Sequence, residues 1–366
     1  MELSDIASVV LYLTVFSAAI CFAYLGQKKN IKTLYILAIL LPVLLAGFRY
    51  SAGTDSLTYR SFYDQIGNES GDATLLRLES GGMEPFIVGV SYVGNLLNLG
   101  PSFLFIVFAA ITLIFMYATA YKYDKKRAWL YYGVLLFIVF PESFNMMRQI
   151  AAISVQAFTL LWLYQLRNEK KHIPWTVIIL LLLFWISIHY SSLLLLPVML
   201  LPFISGEKHW RSIGIVLAMI AAVCALAFPT VVETAVSLKV VPEKHVDTLL
   251  GYDGSLINVK FVGATILAGI LLANYHRRKQ LKDRQMAFLM LIGMTFAAVG
   301  FYSGYLGRLA MFFWIFILLI GADLLRQLCE KDRTRSAICL LVAVGYFVIY
   351  FCVLGFNAIV PYSFAL

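Results

Sequence analysis

Three stretches, 6–25, 103–121 and 173–188, run without a single charged side chain. A water-soluble core has no room for so many uncharged runs, whereas each is about the length an α-helix needs to cross the ~30 Å hydrocarbon layer of a bilayer. Within that layer every backbone N–H and C=O must be bonded internally, so only helices and closed barrels are available. The runs are far longer than barrel strands and do not alternate with period two. The chain is therefore expected to be all-α, a polytopic integral membrane protein forming a single transmembrane domain over residues 1–366. Composition agrees, with 61% apolar and 13% charged residues, against roughly 45–50% and 25% in soluble domains.

A formal charge of +9 would suggest nucleic acid as partner of a soluble protein. Here most of the Lys and Arg lie in short loops between apolar runs, at 28–32, 122–127, 167–172, 208–211, 277–284 and 326–335. The positive-inside rule turns that pattern into topology: these loops are cytoplasmic, and nucleic acid is not a partner. The resulting layout has about twelve crossings, at about 6–25, 33–48, 103–121, 128–144, 147–166, 173–189, 190–204, 212–229, 258–275, 285–303, 307–325 and 336–355, both termini outside, and two long outer loops at 49–83 and 230–257. One run breaks the alternation. If 84–99 and 103–121 both crossed, the basic cluster at 122–127 would emerge outside. The 84–99 run is short and carries Gly89, Gly94, Asn95 and Asn98, so it is expected to be a partial helix at the outer face, covered by protein. The N-terminus has no basic n-region, so no removable signal peptide is expected. The five cysteines lack paired spacing, and neither disulfides nor a metal site nor any cofactor is expected.

Four arginines stand apart from the cytoplasmic clusters. Arg49, Arg60, Arg148 and Arg308 are solitary, set among aromatics at the expected outer ends of helices. An arginine at membrane depth costs about 2.5–3.5 kcal/mol on the mildest insertion scale, so each needs a reason. Snorkelling to lipid headgroups is one. An anion site is the other, because planar guanidinium forks fit phosphate oxygens and several together would hold a diphosphate.

Arg49 opens the stretch Arg49-Tyr50-Ser51-Ala52-Gly53-Thr54-Asp55, and the turn at Gly53 is expected to aim Asp55 back at Arg49. Asn145, Arg148, Gln149 and Ala152 have the spacing of one helix face. His189 ends an otherwise apolar helix, and Tyr305 lies in a glycine-relieved turn leading to Arg308, whose backbone N–H groups would also favour an anion. Three groups are candidates for a general base. Asp55 is expected to be ion-paired, which lowers basicity; Glu84, before Pro85, has no evident activator in its sequence; His189 is the preferred candidate, because histidine is the residue type best suited to taking a proton near neutrality. No outer loop contains Asp-x-Asp, and the chain has no Walker loop or nucleophile elbow, so nucleotide hydrolysis and metal-dependent transfer have no visible machinery.

Arg49-Tyr50 with Gly53-Thr54-Asp55, then Glu84-Pro85, Asn145 with Arg148-Gln149, His189 with Ser191, and Gly307-Arg308 follow one another in an order that resembles the EpsG family, and with it the Wzy-type polymerases of bacterial exopolysaccharide and O-antigen. The resemblance implies glycosyl transfer at the outer face of the bacterial cytoplasmic membrane, joining oligosaccharide repeats carried on undecaprenyl diphosphate. It implies Arg49, Arg60, Asn145, Arg148, Gln149, Tyr305 and Arg308 as substrate-binding residues, with the base among His189, Asp55 and Glu84. Its partners would be the lipid-linked oligosaccharide, membrane lipids, and a chain-length regulator or flippase. Two other classes compete. A transporter or flippase of a lipid-linked glycan would distribute polar groups along the full depth of several helices, whereas here they gather at one end. A membrane acyltransferase would need an acidic partner for His189, which its sequence neighbours do not provide.

Overall fold

The computed structural model describes residues 2–69, 83–193, 310–327 and 332–365, with isolated positions between them. The chain divides into two compact units, one of Met1–Leu193 with Leu325–Leu366 and one of Leu194–Leu324. Crossings expected at 190–204, 212–229, 258–275 and 285–303 lie almost wholly outside the described residues, as do Tyr305 and nearly all of the loop at 230–257.

The first unit is built from helices, with no strand among the described residues beyond two isolated bridges. In order they are α1 (Asp5–Lys29), α2 (Lys32–Gly47), α3 (Ser56–Asn68), α4 (Pro85–Leu96), α5 (Ser102–Tyr123), α6 (Ala128–Ile138), α7 (Met147–Asn168) and α8 (Trp175–Ile188). After the second unit, which contributes most of α9 (Trp314–Gln327), come α10 (Asp332–Tyr346) and its π-helical continuation Phe347–Val353. Among the described residues four helices are long and apolar enough to cross a membrane: Asp5–Lys29, Ser102–Tyr123, Met147–Arg167 and Thr334–Val353.

The ends of α1 show why it starts and stops where it does. Ser4 accepts from Ala7 N at 3.3 Å and Asp5 sits in the first turn, complementing the positive end of the helix dipole. Lys28 and Lys29 occupy the last turn, and Asn30 closes it in the left-handed conformation, φ 56°. That basic end meets the basic ends of α5 and α7, since Gln27 Nε2 donates to Lys125 O at 2.6 Å and Gln165 donates to Lys122 O. One end of the unit therefore gathers the basic loops, and the Arg49 loop lies at the other.

Helix α4 stays at the Arg49 end. Its 12 residues make about 18 Å of helix. It begins at Glu84 and is tied to α3 at its far end, where Asn95 Nδ2 donates to Tyr63 O at 2.9 Å and the Tyr63 hydroxyl donates to Leu99 O. The run expected to cross at 128–144 is not one α-helix: α6 stops at Ile138, and a 3-10 turn, Phe140–Phe144, carries the chain through Pro141. Proline cannot supply the α-helical N–H, and the tighter turn absorbs it.

Beneath the Arg49 loop lies an aromatic core. Tyr12 and Phe16 of α1, Phe137 of α6, Phe140 and Phe144 of the 3-10 turn and Phe347 contact one another with tilted or edge-to-face rings, centroids 5.4–6.0 Å apart. Such pairs contribute about 0.5–1.5 kcal/mol each beyond burial. They fix Phe144, which supports the loop above.

Candidate functional site

The loop between α2 and α3 is held from three sides. Residues 362–365 run antiparallel to it: Tyr50 N donates to Ser363 O at 2.7 Å, Ala365 N to Phe48 O at 2.8 Å, and Ser51 Oγ lies 2.6 Å from Ser363 Oγ. Gly53 has φ +97°, and a Cβ there would lie 2.1 Å from Phe144 O. Only glycine permits both the turn and that approach. Arg60 of α3 closes the third side, its Nε donating to Tyr50 O at 3.0 Å and Nη2 to Arg49 O at 2.5 Å.

Arg49 is buried at 1% exposure, with its guanidinium between the rings of Phe105, 4.5 Å to the centroid, and Phe144, 4.3 Å. Nη2 donates to Ser143 O at 3.5 Å, while Nε has no partner. Burial lowers its pKa to about 10, which still leaves the group charged near neutrality. The expected Arg49–Asp55 ion pair does not form. The positive-φ turn at Gly53 directs Asp55 to Asn145, whose amide nitrogen, in the orientation that satisfies its neighbours, lies 3.1 and 3.0 Å from the two carboxylate oxygens. Thr54 Oγ1 is 2.5 Å from the same amide. Asn145 is also not on the face of α7, because that helix starts at Met147 and Asn145 occupies the turn before it.

A second polar cluster centres on Glu84. Proline at the first position of α4 sacrifices no helical hydrogen bond and holds the preceding residue extended, so Glu84 has φ −68° and ψ 143°. The carboxylate is 5% exposed and is gripped at both oxygens: Arg148 Nη1 donates to Oε2, and His189 Nδ1 lies 2.7 Å from Oε1. Burial alone would raise the Glu84 pKa, but the His189 hydrogen bond and the Arg148 and His189 charges outweigh it and hold the carboxyl below its ordinary value. Arg148 Nη1 also lies 3.3 Å from Met83 Sδ, and the guanidinium lies 5.8 Å from the ring centroid of Tyr59. His189 ends α8 on an extended residue, φ −156°, with its N–H donating to Trp185 O. The acidic partner absent from the sequence surroundings of His189 is thus Glu84, 105 positions earlier.

Sequence reading missed Glu142 and Asn357. Asn357 Nδ2 donates to Glu142 Oε2 at 2.8 Å, and its side chain lies 3.4 Å from the Asn145 amide, so both join the Asp55 cluster. Asn357 follows Gly355 in a turn after the last apolar helix, and its own φ of 65° marks it. Gln149 is buried, and Arg308 is an exposed residue of the second unit.

The EpsG family pattern matches residues 32–364, nine-tenths of the sequence and every residue of both clusters. The chain belongs to the EpsG family. EpsG proteins are Wzy-like polysaccharide polymerases, so this is a membrane protein of polysaccharide biosynthesis. No curated protein and no solved structure matches it. In this EpsG protein the Glu84 cluster brings an imidazole and a guanidinium to the two oxygens of one buried carboxylate.

Proposed function

We propose that the chain polymerises oligosaccharide repeats carried on undecaprenyl diphosphate, by glycosyl transfer at the outer face of the bacterial cytoplasmic membrane. The observation that carries this reading is Glu84 bridging His189 and Arg148. With Nδ1–H donated to Glu84, the neutral imidazole has its lone pair on Nε2. That nitrogen takes the proton of the attacking sugar hydroxyl as the hydroxyl oxygen bonds to the anomeric carbon. The bond from that carbon to the diphosphate breaks, its electron pair leaves with the diphosphate, and Arg148 meets the departing charge. Glu84 stabilises the imidazolium that forms. Asp55, Asn145 and Asn357 offer carboxylate and amide groups to sugar hydroxyls. Arg49, Arg60, Gln149, Tyr305 and Arg308 complete the binding set, with Arg49 and Arg60 acting by holding the loop.

The orientation follows from the separation of the two ends: if the basic loops joined by Gln27 and Gln165 are cytoplasmic, the Glu84 cluster faces out, both termini are outside, and α4 is the partial helix of a protein with about twelve crossings. The expected protein partner is a chain-length regulator or a flippase. Purified protein in proteoliposomes, given lipid-linked repeats in the outward orientation, should make polymer, and His189→Gln should bind the lipid substrate without turning it over. Cells lacking the protein should accumulate single repeats on the outer leaflet. Repeats retained unflipped inside would instead identify a flippase.

A further inference from the structure

A cavity of about 490 Å³ lies between α4, α5 and α8. It is lined by Pro85, Gly89 and Val93 of α4, Phe103 and Val107 of α5, and Ser187 of α8, among others. Its volume falls within the roughly 300–1,000 Å³ of small-molecule sites. Ser187 is the polar residue among these, and its hydroxyl already donates to Phe184 O at 2.7 Å. A site with no free polar group is suited to hydrocarbon rather than water.

Gly89 lies on the wall of the cavity. Glycine inside a helix costs about 1 kcal/mol relative to alanine and is normally explained by a close packing contact. At Gly89 a Cβ would meet nothing within 4 Å. Gly89 is itself exposed, so a larger side chain there would project into the cavity rather than into the protein. The cavity lies near the polar cluster, since Pro85 on its wall directly follows Glu84 and Ser187 stands two residues before His189. It opens on an apolar flank where Val93 is 45% and Leu96 68% exposed.

We propose that this cavity seats the hydrocarbon tail of the lipid-linked substrate, with the anionic head of that lipid at Arg148. The proposal rests on the polymerase reading for the identity of the lipid. A diphosphate on a long isoprenoid chain matches a dry groove with a guanidinium nearby, Arg148 being bonded to the residue that precedes Pro85 of the groove wall. Seating the tail holds the anomeric carbon near His189.

The test uses full-length protein in nanodiscs and a polyprenyl phosphate that carries an alkyl diazirine on its tail and no sugar. Photolysis should label α4 and α5, unlabelled polyprenyl phosphate should chase the label, and Gly89→Phe should abolish it while Gly89→Ala keeps it. Val107→Trp fills the same cavity from the facing helix and should act alike if Gly89→Phe does not fold. In the polymerisation assay, either filled variant should raise KM for the long-tailed substrate roughly tenfold, about 1.4 kcal/mol, with kcat retained. A short-tailed analogue should not distinguish them from wild type. Label chased equally well by phosphatidylglycerol would mean that the cavity holds bulk lipid and would overturn the proposal. So would labelling that ignores both filled variants, or its absence from α4 and α5. Polymerisation without labelling removes the tail site alone, whereas chased labelling by a protein that makes no polymer removes the polymerase reading and leaves the site standing.

Discussion

Glu84→Gln is the substitution that most directly tests the chemistry. It preserves side-chain length and removes the charge from a group that is 5% exposed and bonded at both oxygens. Breaking a buried ion pair from one side costs about 3–5 kcal/mol. The Arg148 side chain is 24% exposed and keeps its contact with the Tyr59 ring, which places the expected loss of stability near the low end, about 3 kcal/mol. The catalytic effect is separate. Without the carboxylate, the imidazolium formed on proton transfer is no longer stabilised and the ring is no longer held in one tautomer, so kcat should fall by about 10²–10⁴. KM should move less. The assay is single-turnover polymerisation in proteoliposomes, run for Glu84→Gln, His189→Gln and the double variant. If Glu84 works through His189, the double variant is no slower than His189→Gln, because residues acting as a unit are non-additive. Wild-type turnover in Glu84→Gln, or losses that multiply in the double variant, would refute the dyad.

Arg49→Lys and Arg148→Lys should differ: lysine cannot fill the space between Phe105 and Phe144 as a planar cation, so Arg49→Lys should lower stability by about 2 kcal/mol and reduce protein abundance. Arg148→Lys should leave abundance near normal and lose polymer, as read by blotting against polymer length; equal abundance and equal polymer in both would reject the division of roles. Gly53→Ala should cost about 1–3 kcal/mol from its backbone conformation alone, before the clash with Phe144 O, visible as a lower Tm. The Glu84 contribution to stability is full above the ordinary glutamate pKa of about 4.3 and is lost as pH falls below it through the lowered folded-state value. Wild type should therefore lose more Tm on acidification below that point than Glu84→Gln does. Cysteines placed at Asn98 and Lys126 should be labelled from outside only at Asn98; labelling at 126 would require α4 to cross.

The long helices were legible because an uncharged apolar run of about 20 residues has few other fates, and basic loops mark its ends. Helix α3 was missed inside the 49–83 loop, although Tyr59, Phe62, Tyr63 and Ile66 recur at the spacing of one helix face and are all buried. An arginine's partners were harder to read. Charge suggested Asp55 for Arg49, but a turn with positive φ at Gly53 and two aromatic rings brought in from α5 and the 3-10 turn decide otherwise. His189 was found by its isolation in an apolar helix, and Glu84 by its place before Pro85, while their contact was invisible at 105 residues' separation.

The family motifs are short and scattered for a related physical reason. Glu84-Pro85 and Arg148-Gln149 mean little as dipeptides, yet each supplies one side of a contact that the fold completes: Glu84 with Arg148 and His189, Asp55 with Asn145, and Asn145 beside Asn357. A carboxylate at 5% exposure is tolerable only when both oxygens are occupied. Substituting either Arg148 or His189 therefore leaves a buried carboxylate oxygen without its partner. That couples positions on α4, α7 and α8 energetically without any continuity in sequence. It predicts that Arg148→Ala and His189→Gln each destabilise wild type, yet destabilise Glu84→Gln by distinctly less, a difference that thermal unfolding in detergent would measure. Equal shifts in both backgrounds would mean that the three groups are neighbours without being a unit.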